Sequence, residues 1–131
     1  MRIGDLAAEV GVTTKTIRFY EQAGLLPQPP RTPAGYRDYP AVAAERLTFI
    51  RDAQAAGLTL AEIRGVLAIR DAGQPPCHHV TALIDTHLQQ VEQRIAELLA
   101  ARAALRALRQ RATSVDPAQC DPTSICTILT P

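Results

Sequence analysis

A mainly α fold is predicted, and three observations predict it. The aromatic content is 4% with no Trp, while Ala, Leu and Arg recur throughout, a composition that suits helices better than a β-sandwich. Apolar residues return at helical rather than alternating spacing from Ile3 onward. At 131 residues the chain fits one compact head with something attached, not two full-sized cores.

Along the chain, Ile3, Leu6, Ala7 and Val10 share one helical face and Gly11 supplies the stop, which gives a short first helix. Thr13 can cap a second, whose apolar pattern of Ile17, Phe19 and Tyr20 continues toward Gly24-Leu25-Leu26-Pro27. Two short helices about a tight Gly turn spell helix-turn-helix. Residues 27–40 hold five prolines, which exclude a helix but leave room for a small β-hairpin about Pro33-Ala34-Gly35, read as a wing. Helix resumes from Pro40 to Ala56 with Val42, Leu47, Ile50 and Ala53 inward, and Gly57 ends it. Thr59 and Glu62 have the spacing of a capping box for a further helix reaching about Asp71. Gly73-Gln74-Pro75-Pro76 then forms a hinge, and a pattern without Gly or Pro continues until Pro117.

In that long helix Ile84, Leu88, Val91, Ile95, Leu98 and Leu105 alternate spacings of four and three, with Arg102 the interruption, as in a coiled-coil seam. A lone helix exposing such a stripe is unstable in water. A second copy of the chain is the most economical cover, and packing on the chain's own head is the alternative. The expected domains are a helix-turn-helix head over 1–72, a hinge and dimerisation helix over 73–113, and a C-terminal loop over 114–131.

No apolar run approaches the ~20 residues of a membrane-spanning helix, and the first residues lead directly into an amphipathic pattern, so a cytoplasmic protein is expected. Net charge is +1. Residues 1–70 carry nine Arg/Lys against seven Asp/Glu, a surplus of two, whereas residues 71–131 carry five against six. So small an asymmetry permits nucleic-acid binding without requiring it. Within the head, Thr14, Lys15, Arg18 and Tyr20 on the second helix and Arg31, Tyr36 and Arg37 on the wing fall where a major-groove helix and its wing need donors and cations.

The strings Ile3-Gly4-Asp5-Leu6-Ala7, Gly11-Val12-Thr13-Thr14-Lys15-Thr16-Ile17-Arg18-Phe19-Tyr20-Glu21, Gly24-Leu25-Leu26 and Gly35-Tyr36-Arg37-Asp38-Tyr39 together closely resemble the MerR family of transcription regulators. The resemblance spans the chain. It implies a winged-helix head, an antiparallel coiled-coil homodimer and a C-terminal effector site. Such dimers sit on promoters whose spacer is too long, and effector binding distorts the double-stranded DNA so that RNA polymerase can engage. Carried over by position, DNA contact falls on Lys15, Arg18, Tyr20, Tyr36 and Arg37, with Thr14 and Arg31 beside them.

All three cysteines lie beyond residue 76, and a reducing compartment keeps them as thiols available to a metal. Cys77 opens the long helix, whereas Cys120 and Cys126 lie past its end in a loop stiffened by Pro117 and Pro122. A helix from about Cys77 to Ala112 is roughly 50 Å long, too far for Cys77 to meet its own loop. If two such helices pair antiparallel, each Cys77 arrives beside the partner's loop, making two sites of three thiolates across the dimer. His78 or His79 could complete a tetrahedral set, with His78 the better candidate; neighbouring helical positions point about 100° apart, so at most one joins. His87 reads as a surface or dimer-contact residue.

The chain is similar in this respect to the metal-responsive branch of the family. Members answering divalent ions carry a cysteine at the start of the dimer helix, as Cys77 does, whereas copper(I)-type sensors share the loop pair but carry Ser there. The loop cysteines stand closer together than in the best-known zinc and mercury sensors. Three thiolates alone suit Hg²⁺, Pb²⁺ or Cd²⁺, and thiolates with His suit Zn²⁺, the ion first expected. A thiol enzyme is a poor fit, because a helix start beside a Pro-Pro hinge offers no enclosed pocket or orienting third group. A metal buffer leaves the helix-turn-helix without a purpose. A redox sensor closing Cys120 and Cys126 into a disulfide keeps DNA binding but changes the effector.

Overall fold

The structure is a computed structural model describing residues 1–130. Five α-helices follow one another: α1 (Ile3–Val10), α2 (Thr14–Gln22), α3 (Val42–Ala55), α4 (Leu60–Asp71) and α5 (Cys77–Ser114), with a short 3-10 turn at Pro117–Gln119. Two compact units are distinguished, the first ending at His87 and the second beginning at Leu88.

In the first unit the turn between α1 and α2 is made by Gly11, whose φ of 80° is left-handed and whose N–H closes onto the Ala7 carbonyl at 2.9 Å. Thr13 caps α2, its hydroxyl accepting from Thr16 N–H at 3.1 Å. The capping box of α4 is complete: Thr59 accepts from Glu62 N–H at 3.1 Å and the Glu62 carboxylate accepts from Thr59 N–H at 2.9 Å. Leu6, Ile17, Leu25, Leu47, Ile50 and Ile63 are fully buried and join α1 to α4 in one core. Truncating any of them to Ala costs ~2–5 kcal/mol.

Three arginines hold the helices by their ends. Arg46 donates to the Leu25 carbonyl at 2.6 Å and pairs twice with Asp71, at 2.7 and 3.0 Å. Arg51 donates to the Val10 carbonyl at 2.5 Å, and Arg64 reaches the Ala23 carbonyl at 3.1 and 2.7 Å. Val10 and Ala23 stand at the ends of α1 and α2, where carbonyls lack intrahelical partners and carry the negative end of the dipole, so a guanidinium satisfies both needs, while Leu25 lies in the turn just past α2.

The wing is a minimal hairpin. One antiparallel bridge joins Arg31 and Arg37, Asp38 N–H donates to the Pro30 carbonyl at 2.8 Å, and Thr32 N–H donates to the Tyr36 carbonyl at 2.7 Å. Gly35, at φ 89°, turns the chain. The first unit continues past residue 72 into the opening turns of α5, because Leu83 packs on the core and His87 bonds Glu62 of α4. Along the apolar stripe of α5, Ile84 in the first unit is 52% exposed, and Leu88, Val91, Ile95, Leu98 and Leu105 in the second stand 51–65% exposed. No helix among the described residues is long and apolar enough to cross a membrane.

Candidate DNA-binding surface and metal-binding loop

On α2, Lys15 and Arg18 are exposed and Thr14 is half-buried at the first turn. Tyr20 behaves otherwise than the sequence suggests. It is 5% exposed, and its hydroxyl donates to Gln54 of α3 at 2.5 Å, so it ties α2 to the core instead of facing DNA. Burial raises its pKa. The aromatic ring presented by α2 is Phe19, 48% exposed and tilted against Tyr20 with centroids 5.8 Å apart.

The wing brings Arg31, Tyr36 and Arg37 to the surface of the same unit. Arg31 donates to the Gly35 carbonyl at 3.0 Å, and Tyr36 is 55% exposed. Arg37 faces the Glu21 carboxylate at 3.4 Å. Glu21, buried on α2, also accepts from the hydroxyl of buried Tyr39. Burial, then this bond and the Glu21 charge, push the Tyr39 pKa well up, so the hydroxyl stays a donor. One acid on the second helix therefore fixes two residues of the wing, a role the helical pattern alone did not reveal.

At the far end of the chain, Asp116 caps the 3-10 turn by accepting from Ala118 N–H at 3.0 Å. Asp121 accepts from the Thr123 hydroxyl at 2.7 Å and its N–H at 2.9 Å, which lowers the Asp121 pKa and fixes the bend between the two loop cysteines. Arg111, from the end of α5, donates to the Ile128 carbonyl at 2.5 Å. Cys120 is exposed and receives the Thr127 hydroxyl at 3.7 Å; Cys126 is half-buried. The N–H groups of Leu129 and then Ile128 lower the Cys126 pKa, favouring its thiolate.

Cys77, His78 and His79 are exposed at the start of α5. His79 lies against α4, its Nε2 3.8 Å from where a Cβ on Gly65 would stand. His87 is half-buried, and its ring nitrogen bonds Glu62 at 2.8 and 3.1 Å. Among the described residues of a single chain, no three Cys, His, Asp or Glu side chains gather as a metal site.

Residues 1–68 match the MerR HTH family regulatory proteins, and residues 44–108 match the MerR DNA-binding family. The chain belongs to the MerR family of transcription regulators. The HTH-type transcriptional regulator ZntR homolog of Haemophilus influenzae is 37% identical over 116 residues, 88% of this chain and 86% of that protein. The structure of PbrR691 from Ralstonia metallidurans CH34, solved with lead(II), is 40% identical, with a TM-score of 0.74 over 98% of this chain and 96% of that one. MerR of Bacillus megaterium MB1, solved with mercury(II), is 31% identical, with a TM-score of 0.62 over the same shares, 98% and 96%. This MerR-family member thus falls in the heavy-metal-responsive branch, and its relatives are transcription regulators, not enzymes.

Proposed function

We propose that this regulator binds a promoter as a homodimer and activates transcription by distorting the DNA when a soft divalent ion binds Cys77, Cys120 and Cys126, with His78 as a fourth donor. The carrying observation is the separation of tasks along the chain. Every thiol lies outside the helix-turn-helix and wing, at the start of α5 or in the loop after it, and the loop already lowers the pKa of one thiol.

DNA is held by Lys15 and Arg18 of α2 and by Arg31, Tyr36 and Arg37 of the wing, with Thr14 beside them at the start of α2. Pairing of α5 through its exposed stripe in antiparallel sense brings Cys77 to the partner's loop. Soft thiolates select soft ions. Lead and mercury are the ions named for the solved relatives, and Zn²⁺ is the reading preferred if His78 joins, with Cd²⁺, Pb²⁺ and Hg²⁺ the ions of a three-thiolate site. The protein acts in the cytoplasm, and RNA polymerase meets it only through the promoter.

Anaerobic titration of the purified protein with Zn²⁺, Cd²⁺, Pb²⁺ and Hg²⁺ in competition tests the reading. One ion per chain is expected, with thiolate-to-metal absorption for the heavier ions, and Cys77→Ser abolishes tight binding. Undiminished affinity in that variant overturns the assignment.

A further inference from the structure

Between the wing and the start of α1 lies a cleft of about 320 Å³ walled by four arginines, Arg2, Arg18, Arg31 and Arg37, with Asp5 the lone acid on its surface. Three of the four belong to α2 and the wing. Arg2 stands at the start of α1, away from α2 and the wing in sequence, yet it is held in place: Tyr39 N–H donates to the Met1 carbonyl at 2.8 Å, laying the first residues beside the end of the wing. Its guanidinium then sits 4.7 Å from the centre of the Tyr36 ring.

The four cations are not equally engaged. Arg37 faces Glu21 and Arg31 donates to the Gly35 carbonyl, whereas neither Arg2 nor Arg18 forms an ion pair among the described residues. Two unpaired guanidinium groups around one cleft attract an anion, and their planar forks match phosphate oxygens. A duplex engaging Arg18 and the wing carries its backbone to the mouth of this cleft, so a phosphodiester is the anion that fits.

We propose that Arg2 contacts DNA, holding a backbone phosphodiester in this cleft together with Arg18 and extending the DNA-binding surface from α2 and the wing to the start of α1. The proposal rests on the DNA-binding reading of the head. Phosphate contacts carry no sequence information, so a labelled mixed-sequence duplex serves as the probe, followed by fluorescence anisotropy of the full-length protein at several KCl concentrations. Arg2→Gln lowers the log–log salt slope by about 0.9 per head and weakens binding at low salt, whereas Arg2→Lys keeps the wild-type slope.

A wild-type protein that shows no salt-dependent binding defeats the DNA reading itself. If wild type binds and Arg37→Ala weakens it, while Arg2→Gln leaves affinity and slope unchanged, the Arg2 proposal alone is overturned. Affinity lost at constant slope also overturns it, because Arg2 then only steadies Tyr36. Inorganic phosphate held by wild type but not by Arg2→Gln, with the DNA slope unchanged, assigns the cleft to a free anion and overturns the proposal too.

Discussion

Burying Glu21 on α2 takes a carboxylate out of water, which is tolerable only where its oxygens find donors. Tyr39 and Arg37 supply them, and both are wing residues, so the acid orients the wing against α2. Glu21→Gln keeps an acceptor for Tyr39 but leaves Arg37 without its counter-charge. Stability is expected to fall by ~1–3 kcal/mol in urea unfolding, and DNA affinity to fall while the salt slope holds, since no cation has been removed. A second prediction concerns Cys126. In a chain carrying Cys77→Ser and Cys120→Ser, the alkylation rate of Cys126 is expected to rise with pH at a midpoint below the ~8.5 of an ordinary thiol, because two backbone N–H groups stabilise its thiolate. A midpoint at or above the ordinary value would remove this support for a pre-formed loop. Lys15, Arg18, Arg31 and Tyr36 were legible as surface residues from their place in the motif, whereas Arg37 is half-buried against Glu21. Tyr20 and Glu21 were not, because adjacent positions on a short helix differ by about 100° and only the packing of α3 and the wing decides which is covered. Nor could composition separate Arg46, Arg51 and Arg64, which bond carbonyls at or just past helix ends, from Arg18 and Arg31, which stay exposed.

The elements themselves were readable where local chemistry is strong: the Gly11 stop, the Thr13 cap and the Thr59–Glu62 box all stand as the residues suggest. What spacing did not disclose is that Glu62 serves two elements. Its carboxylate closes the start of α4 and also accepts from His87 on α5, so the head and the first turns of the long helix share one charge. Thr59→Ala should therefore cost ~1 kcal/mol, read by thermal unfolding. The Thr59 N–H first, then His87, lower the Glu62 pKa. A carboxyl lowered on folding adds stability above its unfolded pKa and loses it as pH falls through the folded value. Glu62→Gln keeps the cap but not the charge, so its thermal midpoint should lie below wild type near neutrality and converge with it in acid. A constant difference across that range would mean that the charge contributes nothing.

At the scale of the molecule, the seam of α5 and the placement of the thiols make one joint demand on assembly. Ile84, Leu88, Val91, Ile95, Leu98 and Leu105 leave an apolar stripe about half exposed in a single chain, while Cys77 opens the same 38-residue helix that the loop cysteines follow. Both are resolved together if two chains pair through the stripe in opposite directions, since covering the seam then also completes the thiol sets. Mixed dimers separate this from any site made within one chain. One chain carries Cys77→Ser and the other carries Cys120→Ser with Cys126→Ser. In the heterodimer one shared site has lost all three thiols and the other keeps all three, so one ion is expected to bind tightly, although neither mutant homodimer holds any. A site built within each chain would be damaged in both halves of that heterodimer. No tight binding in the purified heterodimer, with wild-type dimers binding normally beside it, would sink the shared site and with it the route from metal to the DNA-binding heads.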